Sequence, residues 1–250
     1  MVYGLAKFWY NTRSMLEVRR LSFSYGGQPL LRNVSFVVSP GEIVGLVGGN
    51  GAGKSTLLKL LATVFMPCAG QVLLEGRDIA GDALSYRSQV GYLPEAPAFY
   101  EDMTVKAYLK FRARLKGEPE KRIRRRMSEA AEMCCVTDVM GMPIRALSFG
   151  QKKRVALADA ILLRPRILLL DDFCAGLDAG MRTMAEKMIS TVASFACVVV
   201  TGHEIADMLR WSTRLLVLKD GVIADSAPVA GTDRLLLEQR MTALLRGGGA

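Results

Sequence analysis

Hydrophobic and polar residues alternate along two neighbouring stretches near the start of the chain. The alternation covers residues 16–25 and 30–38, and two adjacent glycines, Gly26 and Gly27, lie between them. A period of two is typical of strands that bury one face, and paired glycines are typical of a turn. The pattern therefore predicts an antiparallel β subdomain at the start of the fold.

Short apolar runs alternate with helical patterns through much of the remaining chain. This order indicates an α/β fold with a mixed, largely parallel core. The predicted strands are 42–47, 71–74, 90–93, 167–170 and 197–201, and the predicted helices begin at Lys54, Gly150 and Gly180. Two further strands, 214–219 and 222–225, flank the dipeptide Asp220-Gly221, which favours a tight hairpin turn.

The segment between about residues 105 and 134 differs from the rest, because it is polar and has a helical period. We predict that it belongs to a helical subdomain, about residues 96–150, inserted in the α/β core. The domain as a whole is predicted to span residues 15–228. A C-terminal helix and tail follow over residues 229–250.

The first 14 residues contain no sustained apolar segment and no small-residue cleavage site, so they do not resemble an export signal. We predict a poorly ordered extension over residues 1–14. The alternative is that its aromatic side chains rest on a partner or on a bilayer surface.

Composition narrows the functional classes. Half of the residues are hydrophobic, but no run approaches the roughly 18 apolar residues of a membrane span, so we predict that the chain does not cross a membrane by itself. The 5 cysteines are odd in number and show no paired metal-binding spacing, which suits a reducing cytoplasm. The net charge of +9 favours acidic partners such as nucleotides, nucleic acids or anionic lipids, without choosing among them.

The most specific motif is GGNGAGKST, which fits G-x-x-x-x-G-K-[ST] between a predicted strand and a predicted helix. The glycines let backbone N–H groups converge on phosphates, and the helix N-terminus adds partial positive charge. The Lys54 ammonium is expected to reach the β- and γ-phosphates, and the Ser55 hydroxyl to bind Mg²⁺. The predicted nucleotide site comprises Gly48, Gly49, Asn50, Gly51, Ala52, Gly53, Lys54, Ser55 and Thr56.

A protein with such a loop needs a second strand that carries carboxylates, to hold Mg²⁺. The apolar run 167–170 ends in Asp171 and Asp172. We predict that Asp171 is the metal partner and that Asp172 orients or deprotonates the attacking water. The alternative is an ordinary strand end with solvated aspartates.

Three further motifs are LSFGQKKR (147–154), GYLPE (91–95) and AGLD (175–178). They resemble the LSGGQ signature, the Q-loop and the D-loop of the ATP-binding cassette (ABC) ATPases. The resemblance extends from Met15 to about Asp225, with the motifs in the order of that family. Tyr25 lies where the cassette places an aromatic ring against adenine. His203, the only histidine, lies at the position of the switch histidine.

The resemblance implies a P-loop NTPase fold of the ABC cassette type, with ATP and Mg²⁺ as ligands. In that family two cassettes meet head to tail, and each ATP lies between one P-loop and the signature of the opposite subunit. By the same resemblance, Ser148 and Gly150 would touch the γ-phosphate from the partner, and His203 would touch it from the same subunit. Glu95 would approach Mg²⁺, and Asp178 would reach toward the dimer partner. The signature residues are Leu147, Ser148, Phe149, Gly150 and Gln151.

Three residues depart from the family pattern. Asp172 stands where glutamate is usual, and its missing methylene leaves the carboxylate roughly 1 Å back, a misplacement that costs on the order of 100-fold in rate. We therefore predict slow but real hydrolysis. Glu95 stands where glutamine is often found. Phe149 replaces the first glycine of the signature, and its ring is expected to face away from the nucleotide.

Residues 112–126 carry 8 basic side chains beside Glu118 and Glu120. On a helix such charge is most often a solvated face, which is the interpretation we favour. Attraction to a membrane surface is the first alternative. Nucleic-acid binding is the second, and the lack of interleaved aromatic residues disfavours it.

Together the motifs favour the ATPase subunit of an ABC transporter. We expect a homodimer or heterodimer beneath separately encoded transmembrane subunits, in the cytoplasm on the inner face of the cell membrane. Residues 91–111 resemble the exporter type, which favours export. Two alternatives stay open: a soluble ABC protein that acts on nucleic acid or ribosomes, and an ATP-gated switch with negligible turnover.

Overall fold

Two β-sheets and the helices around them make up the described part of the chain, residues 16–246 of this computed structural model. The strands are β1 (Leu16–Tyr25), β2 (Gln28–Val38), β3 (Ile43–Val47), β4 (Ala69–Leu74), β5 (Arg77–Asp78), β6 (Val90–Leu93), β7 (Ile167–Leu170), β8 (Cys197–Gly202), β9 (Arg214–Lys219) and β10 (Val222–Pro228). The helices are α1 (Lys54–Leu61), α2 (Ala83–Ser88), α3 (Val105–Leu115), α4 (Glu120–Met133), α5 (Phe149–Ile161), α6 (Ala179–Ala193), α7 (Ile205–Trp211) and α8 (Arg234–Arg246). The predicted N-terminal extension, residues 1–14, lies outside the described residues.

The smaller sheet is antiparallel and has the strand order β2-β1-β4-β5. Strand β1 pairs with β2 from Leu16 opposite Val38 to Tyr25 opposite Gln28. The antiparallel pair predicted from the alternating pattern is therefore confirmed.

The larger sheet has the order β10-β9-β3-β8-β7-β6. Its inner strands are parallel: β3 lies between β8 and β9, and β7 lies between β8 and β6. Strand β10 returns antiparallel to β9 through Asp220 and Gly221, whose φ angles are 50° and 77°. Two positive φ values in a two-residue turn are the geometry that Asp-Gly favours, so the predicted hairpin is confirmed.

Both faces of the larger sheet are buried, which explains why its strands are apolar throughout rather than alternating. On β7, Ile167 and Leu169 pack toward α1 and the smaller sheet, whereas Leu168 and Leu170 pack toward the helices of the opposite side. Strand β8 divides in the same way, with Val199 on the first face and Val198 on the second. The α/β class with a mixed sheet is confirmed.

Helices α3 and α4 pack on α5 and form the helical region expected near residues 96–150. The predicted limits stay predictions: 15–228 for the domain, about 96–150 for the helical subdomain and 229–250 for the C-terminal helix and tail. Within residues 16–246, no helix combines the length and the apolar character needed to span a bilayer.

The interpretation of residues 112–126 as a solvated face is wrong for Arg112 and Lys116. Both reach across from α3 to Asp159 of α5, a carboxylate that is only 8% exposed. The Arg112 guanidinium lies 2.9 Å from one carboxylate oxygen and the Lys116 ammonium 2.8 Å from the other. Burial lowers the pKa of Lys116 despite the attraction of Asp159. These ion pairs join the helical region to the helix that begins at the signature.

Replacing Asp159 with alanine is expected to lower the free energy of unfolding by about 2–3 kcal/mol, because two partly buried cations, Arg112 and Lys116, lose their counter-charge. Denaturant unfolding measures this change. The matched control is Asp138→Ala, an exposed carboxylate of the same region, which should alter stability by less than about 0.5 kcal/mol. Equal stabilities of the two variants would show that the Asp159 pairs do not stabilise the fold.

Candidate functional site

The carboxyl ends of four neighbouring parallel strands bring the predicted site residues together. Strand β3 leads into the phosphate loop, β7 into Asp171, β8 into His203 and β6 into Glu95. This edge is where open α/β sheets bind their ligands. A cavity of about 450 Å³ lies there, a size typical of small-molecule sites.

Two glycines of the phosphate loop, Gly48 and Gly53, occupy positions that other residues do not fit. A Cβ on Gly48 would lie 2.5 Å from the carbonyl oxygen of Leu218. Gly53 caps α1 with φ 102°, a left-handed conformation that side chains rarely adopt. The first turn of α1 therefore lines the cavity, and because the first N–H groups of a helix have no partner within it, this position suits a phosphate.

Lys54 begins α1, and its ammonium lies over the loop. It donates hydrogen bonds of 2.7 Å to the carbonyl of Gly48 and 3.1 Å to that of Gly49. Burial lowers the pKa of Lys54, and the carboxylates of Asp172, Asp171 and Glu95 oppose this shift. The site therefore places one fixed cation among three acidic side chains.

Asp171 occupies the place predicted for a metal partner. Its side chain is buried, and one of its carboxylate oxygens accepts a hydrogen bond of 3.0 Å from the Ser55 hydroxyl and one of 2.8 Å from Thr201. A hydroxyl beside a carboxylate is an all-oxygen donor set of the kind that Mg²⁺ prefers. The pair Ser55 and Asp171 therefore fits the ion that the sequence predicts.

Asp172 faces His203. One Asp172 carboxylate oxygen lies 3.3 Å from the Nδ1 atom of His203, on the exposed side of the site. The backbone of Asp172 has φ 44°, a left-handed conformation that aspartate tolerates better than most residues. Its amide donates a hydrogen bond of 2.9 Å to the Thr201 hydroxyl.

Tyr25 lies at the opposite wall of the cavity. Its hydroxyl is 3.3 Å from the Thr56 hydroxyl, and its ring makes edge contacts with Phe23 and Phe65. The side chain is still 47% exposed, so the ring is held in place while part of it is open to a planar ligand. Glu95 is exposed and also lines the cavity.

The structure brings most of the predicted residues together around the cavity and leaves others outside its lining. The cavity is lined by Tyr25, Asn50, Gly51, Ala52, Gly53, Lys54, Ser55, Thr56, Glu95, Asp171, Asp172 and His203, with Leu30 and Thr201. The signature residues 147–151 and Asp178 are not part of this lining, and neither are the loop glycines Gly48 and Gly49. Their roles stay predictions.

The signature begins helix α5. Ser148 caps the helix by accepting a hydrogen bond from the Gln151 amide, while the Gln151 side chain accepts one from the Ser148 amide. The Phe149 ring is 60% exposed and lies beside Gly176, where a Cβ would be 3.0 Å from a ring carbon. Asp178 likewise caps α6 through a 2.8 Å hydrogen bond from the Met181 amide.

Thr201 is a site residue that the sequence analysis did not single out. It is fully buried, and its hydroxyl contacts both the Asp171 carboxylate and the Asp172 amide. The signal in the sequence is a polar residue that ends an apolar strand two positions before His203. By joining β8 to the end of β7, this hydroxyl fixes the two aspartates relative to each other.

Replacing Thr201 with valine keeps the shape of the side chain and removes the hydroxyl. We expect the free energy of unfolding to fall by about 1–3 kcal/mol, since a buried amide and carboxylate each lose a partner. We also expect kcat to fall roughly 10- to 100-fold, because catalytic groups lose their positions. Thr201→Ser, which keeps the hydroxyl, should stay near wild type. A valine variant that is less stable but equally fast would limit Thr201 to a structural role.

Comparisons with known proteins agree with this geometry. The family model described as "ABC transporter" matches residues 31–175. The cobalt import ATP-binding protein CbiO of Salmonella typhimurium is 36% identical over 222 residues, which are 86% of this chain and 81% of that protein. A Streptococcus mutans relative named for ABC transporter ATP-binding proteins is 35% identical over 220 residues, 86% of this chain. The chain spans about two fifths of that relative, 39% of its length.

Two solved structures share the fold over most of this chain. An ATP-binding subunit of an ABC transporter superimposes with a TM-score of 0.80 at 28% identity, over 91% of this chain and 99% of that one. A bacterial Atm1-family ABC exporter with ATP bound gives a TM-score of 0.79 at 26% identity, over 97% of this chain and 43% of that one.

Proposed function

Because the chain belongs to the ATP-binding proteins of ABC transporters, we propose that it binds and hydrolyses ATP to drive transport through separate transmembrane subunits. One observation carries this proposal: Lys54, the Ser55–Asp171 pair, Asp172 and His203 line a single cavity behind a glycine-shaped loop. This is the set of groups that phosphoryl transfer to water requires.

Each residue of the cavity has a separate role in binding or hydrolysing ATP. The α1 N-terminus and Lys54 bind the β- and γ-phosphates, and the Tyr25 ring stacks on the base. Ser55 and Asp171 would hold Mg²⁺, with Glu95 at the same edge, and the ion would supply positive charge beside the phosphates. Asp172 orients the attacking water or accepts its proton, and His203 holds the Asp172 carboxylate in place through Nδ1 while its exposed edge faces the terminal phosphate.

A dimer explains why the signature lies outside the cavity. Ser148 and Gly150 stand at the N-terminus of α5, a place that favours anions. We propose that two copies, or this chain and a related cassette, meet head to tail so that each signature closes the other subunit's ATP site. ATP then holds the dimer together, and hydrolysis releases it.

The direction of transport is the most specific part of the proposed function. We propose export, which rests on the resemblance of residues 91–111 to exporter cassettes. The Atm1-family structure is an exporter, whereas the Salmonella relative is an import protein, so similarity alone favours neither direction. The working location that follows is the cytoplasmic face of the cell membrane, against the transmembrane subunits.

The test uses the purified chain with ATP. Phosphate release with Mg²⁺ should be measurable but slow, and light scattering should show dimers with ATP and EDTA, where hydrolysis cannot proceed. Co-expression with a membrane protein encoded beside it should yield a complex whose ATPase rate is raised. ATP-driven dimers without any phosphate release would favour the ATP-gated switch. Salt-sensitive, nucleotide-dependent RNA binding without a membrane complex would favour the nucleic-acid alternative.

A further inference from the structure

Lys153 is a buried cation that the proposed chemistry does not use. It lies on α5, two residues after the signature residues 147–151, and is only 5% exposed. Within residues 16–246 no carboxylate lies within ion-pair distance of its ammonium; instead it donates hydrogen bonds of 3.0 Å to the carbonyl of Phe173 and 2.5 Å to that of Ala175. Burying an ammonium costs free energy unless its N–H donors have hydrogen-bond partners. An apolar side chain at this position could not make the two hydrogen bonds to the carbonyls, so these bonds distinguish lysine from an apolar residue here.

The two carbonyls belong to a segment that we call the carboxylate loop, residues 172–178. It starts with Asp172 and ends at Asp178, the cap of α6. Burial lowers the pKa of Lys153, and Asp172 is the first of the charges that oppose the shift. The two hydrogen bonds therefore connect the ammonium to the backbone segment that carries Asp172.

Phe149 makes a second connection between the signature and the carboxylate loop. Its ring lies over the Lys153 ammonium, 5.1 Å from the centroid, and the Phe173 ring lies on another side at 5.8 Å. The Phe149 ring also rests on Gly176, whose φ of 72° and missing Cβ leave room for it. The signature end of α5 and the carboxylate loop are thus packed as one unit around Lys153.

In a head-to-tail dimer the two ends of this unit serve different nucleotides. The signature closes the partner's site, whereas Asp172 acts in its own site. We propose that Lys153 is a positioning residue that couples the two ATP sites, by transmitting the docking of the signature to the orientation of Asp172 in the same subunit. This inference rests on the proposed function, and specifically on the head-to-tail dimer.

The experiment compares Lys153→Met and Lys153→Arg with the wild type. The methionine keeps the stem and removes the ammonium, while the arginine keeps a cation with several donors. Hydrolysis is measured against ATP concentration, and ATP affinity of the monomer is measured separately by a fluorescent analogue at low protein concentration. Lys187→Met, an exposed lysine of α6, is the matched control.

For Lys153→Met we expect the affinity of the monomer for ATP to be unchanged. We expect kcat to fall by roughly tenfold or more, since small displacements of catalytic groups have this effect. The Hill coefficient of hydrolysis, which should lie between about 1 and 2 in the wild type, should fall to about 1. Lys153→Arg should recover part of both losses. Phe149→Ala removes the exposed ring that lies over Lys153, and it should lower the Hill coefficient in the same direction.

Several results would overturn the inference. A methionine variant that loses stability and monomer affinity in parallel, with its Hill coefficient preserved, would make Lys153 a structural residue. Wild-type hydrolysis with a Hill coefficient of 1 would remove the coupling and leave the ATPase function intact. If the wild-type protein neither hydrolyses ATP nor dimerises in its presence, both the proposed function and this inference are wrong, and this measurement needs no variant.

Discussion

Replacing Lys54 with methionine is expected to lower ATP hydrolysis on the order of 1000-fold, the largest effect of any single side chain in the site. The ammonium is already held above the phosphate loop by the carbonyls of Gly48 and Gly49, so it needs little reorganisation to meet phosphate oxygens. Each hydrogen bond to a charged group contributes about 1.5–3 kcal/mol, and two such bonds account for a loss of this size.

Charge in the cavity adds to the loss. Without Lys54, the carboxylates of Glu95, Asp171 and Asp172 face the triphosphate with no cation from α1 between them. ATP affinity should therefore fall together with kcat, which equilibrium binding of a fluorescent ATP analogue measures beside the steady-state rate. Lys59→Met changes another lysine of the same helix, outside the cavity lining, and should behave like the wild type. Hydrolysis by the Lys54 variant at a tenth of the wild-type rate or better would mean that ATP binds elsewhere.

The sequence predicted most of this cavity because parallel strands impose an order on the residues that follow them. Asp171, His203 and Glu95 each come directly after, or within two residues of, a buried strand, and adjacent strand ends meet at one edge. The phosphate loop was predictable for a further reason, since backbone constraints at Gly48 and Gly53 leave little choice of residue. Local patterns suffice wherever the chemistry is set by strand ends and loop geometry.

Long-range pairing of polar side chains was not predictable from those patterns. The sequence favoured solvent exposure for Arg112 and Lys116 because their partner Asp159 is more than forty positions away. In the sequence alone, Asp159 cannot be distinguished from the many exposed acidic residues. The roles of Thr201 and Lys153 were missed for the same reason, since each depends on which elements pack beside β8 or α5. Helices α2 and α7 were missed because 6 and 7 residues are too few to show a helical period.

Asp172→Asn is expected to lower kcat by roughly 100-fold, the second large effect. Asparagine keeps the size of the side chain and tolerates the φ of 44° at this position, so the backbone and the Thr201 contact should persist. It cannot take a proton from water, and general-base catalysis contributes typically 10²- to 10⁴-fold. Because the phosphate contacts remain, the variant should form long-lived dimers with Mg²⁺ and ATP, which size-exclusion chromatography resolves.

Asp172→Glu tests the same carboxylate in the opposite direction. The added methylene brings the carboxylate roughly 1 Å closer to the water, which is worth on the order of 100-fold, but a left-handed conformation costs a non-glycine residue of this kind about 1 kcal/mol or more. If the backbone relaxes to relieve that strain, part of the reach is lost, so we expect a gain in kcat of roughly tenfold with a slightly lower unfolding temperature. An asparagine variant as fast as the wild type, together with a much faster glutamate variant, would mean that Asp172 is idle in the natural protein. A glutamate variant no faster than the wild type would mean instead that His203, 3.3 Å away, already holds the shorter carboxylate where the water needs it.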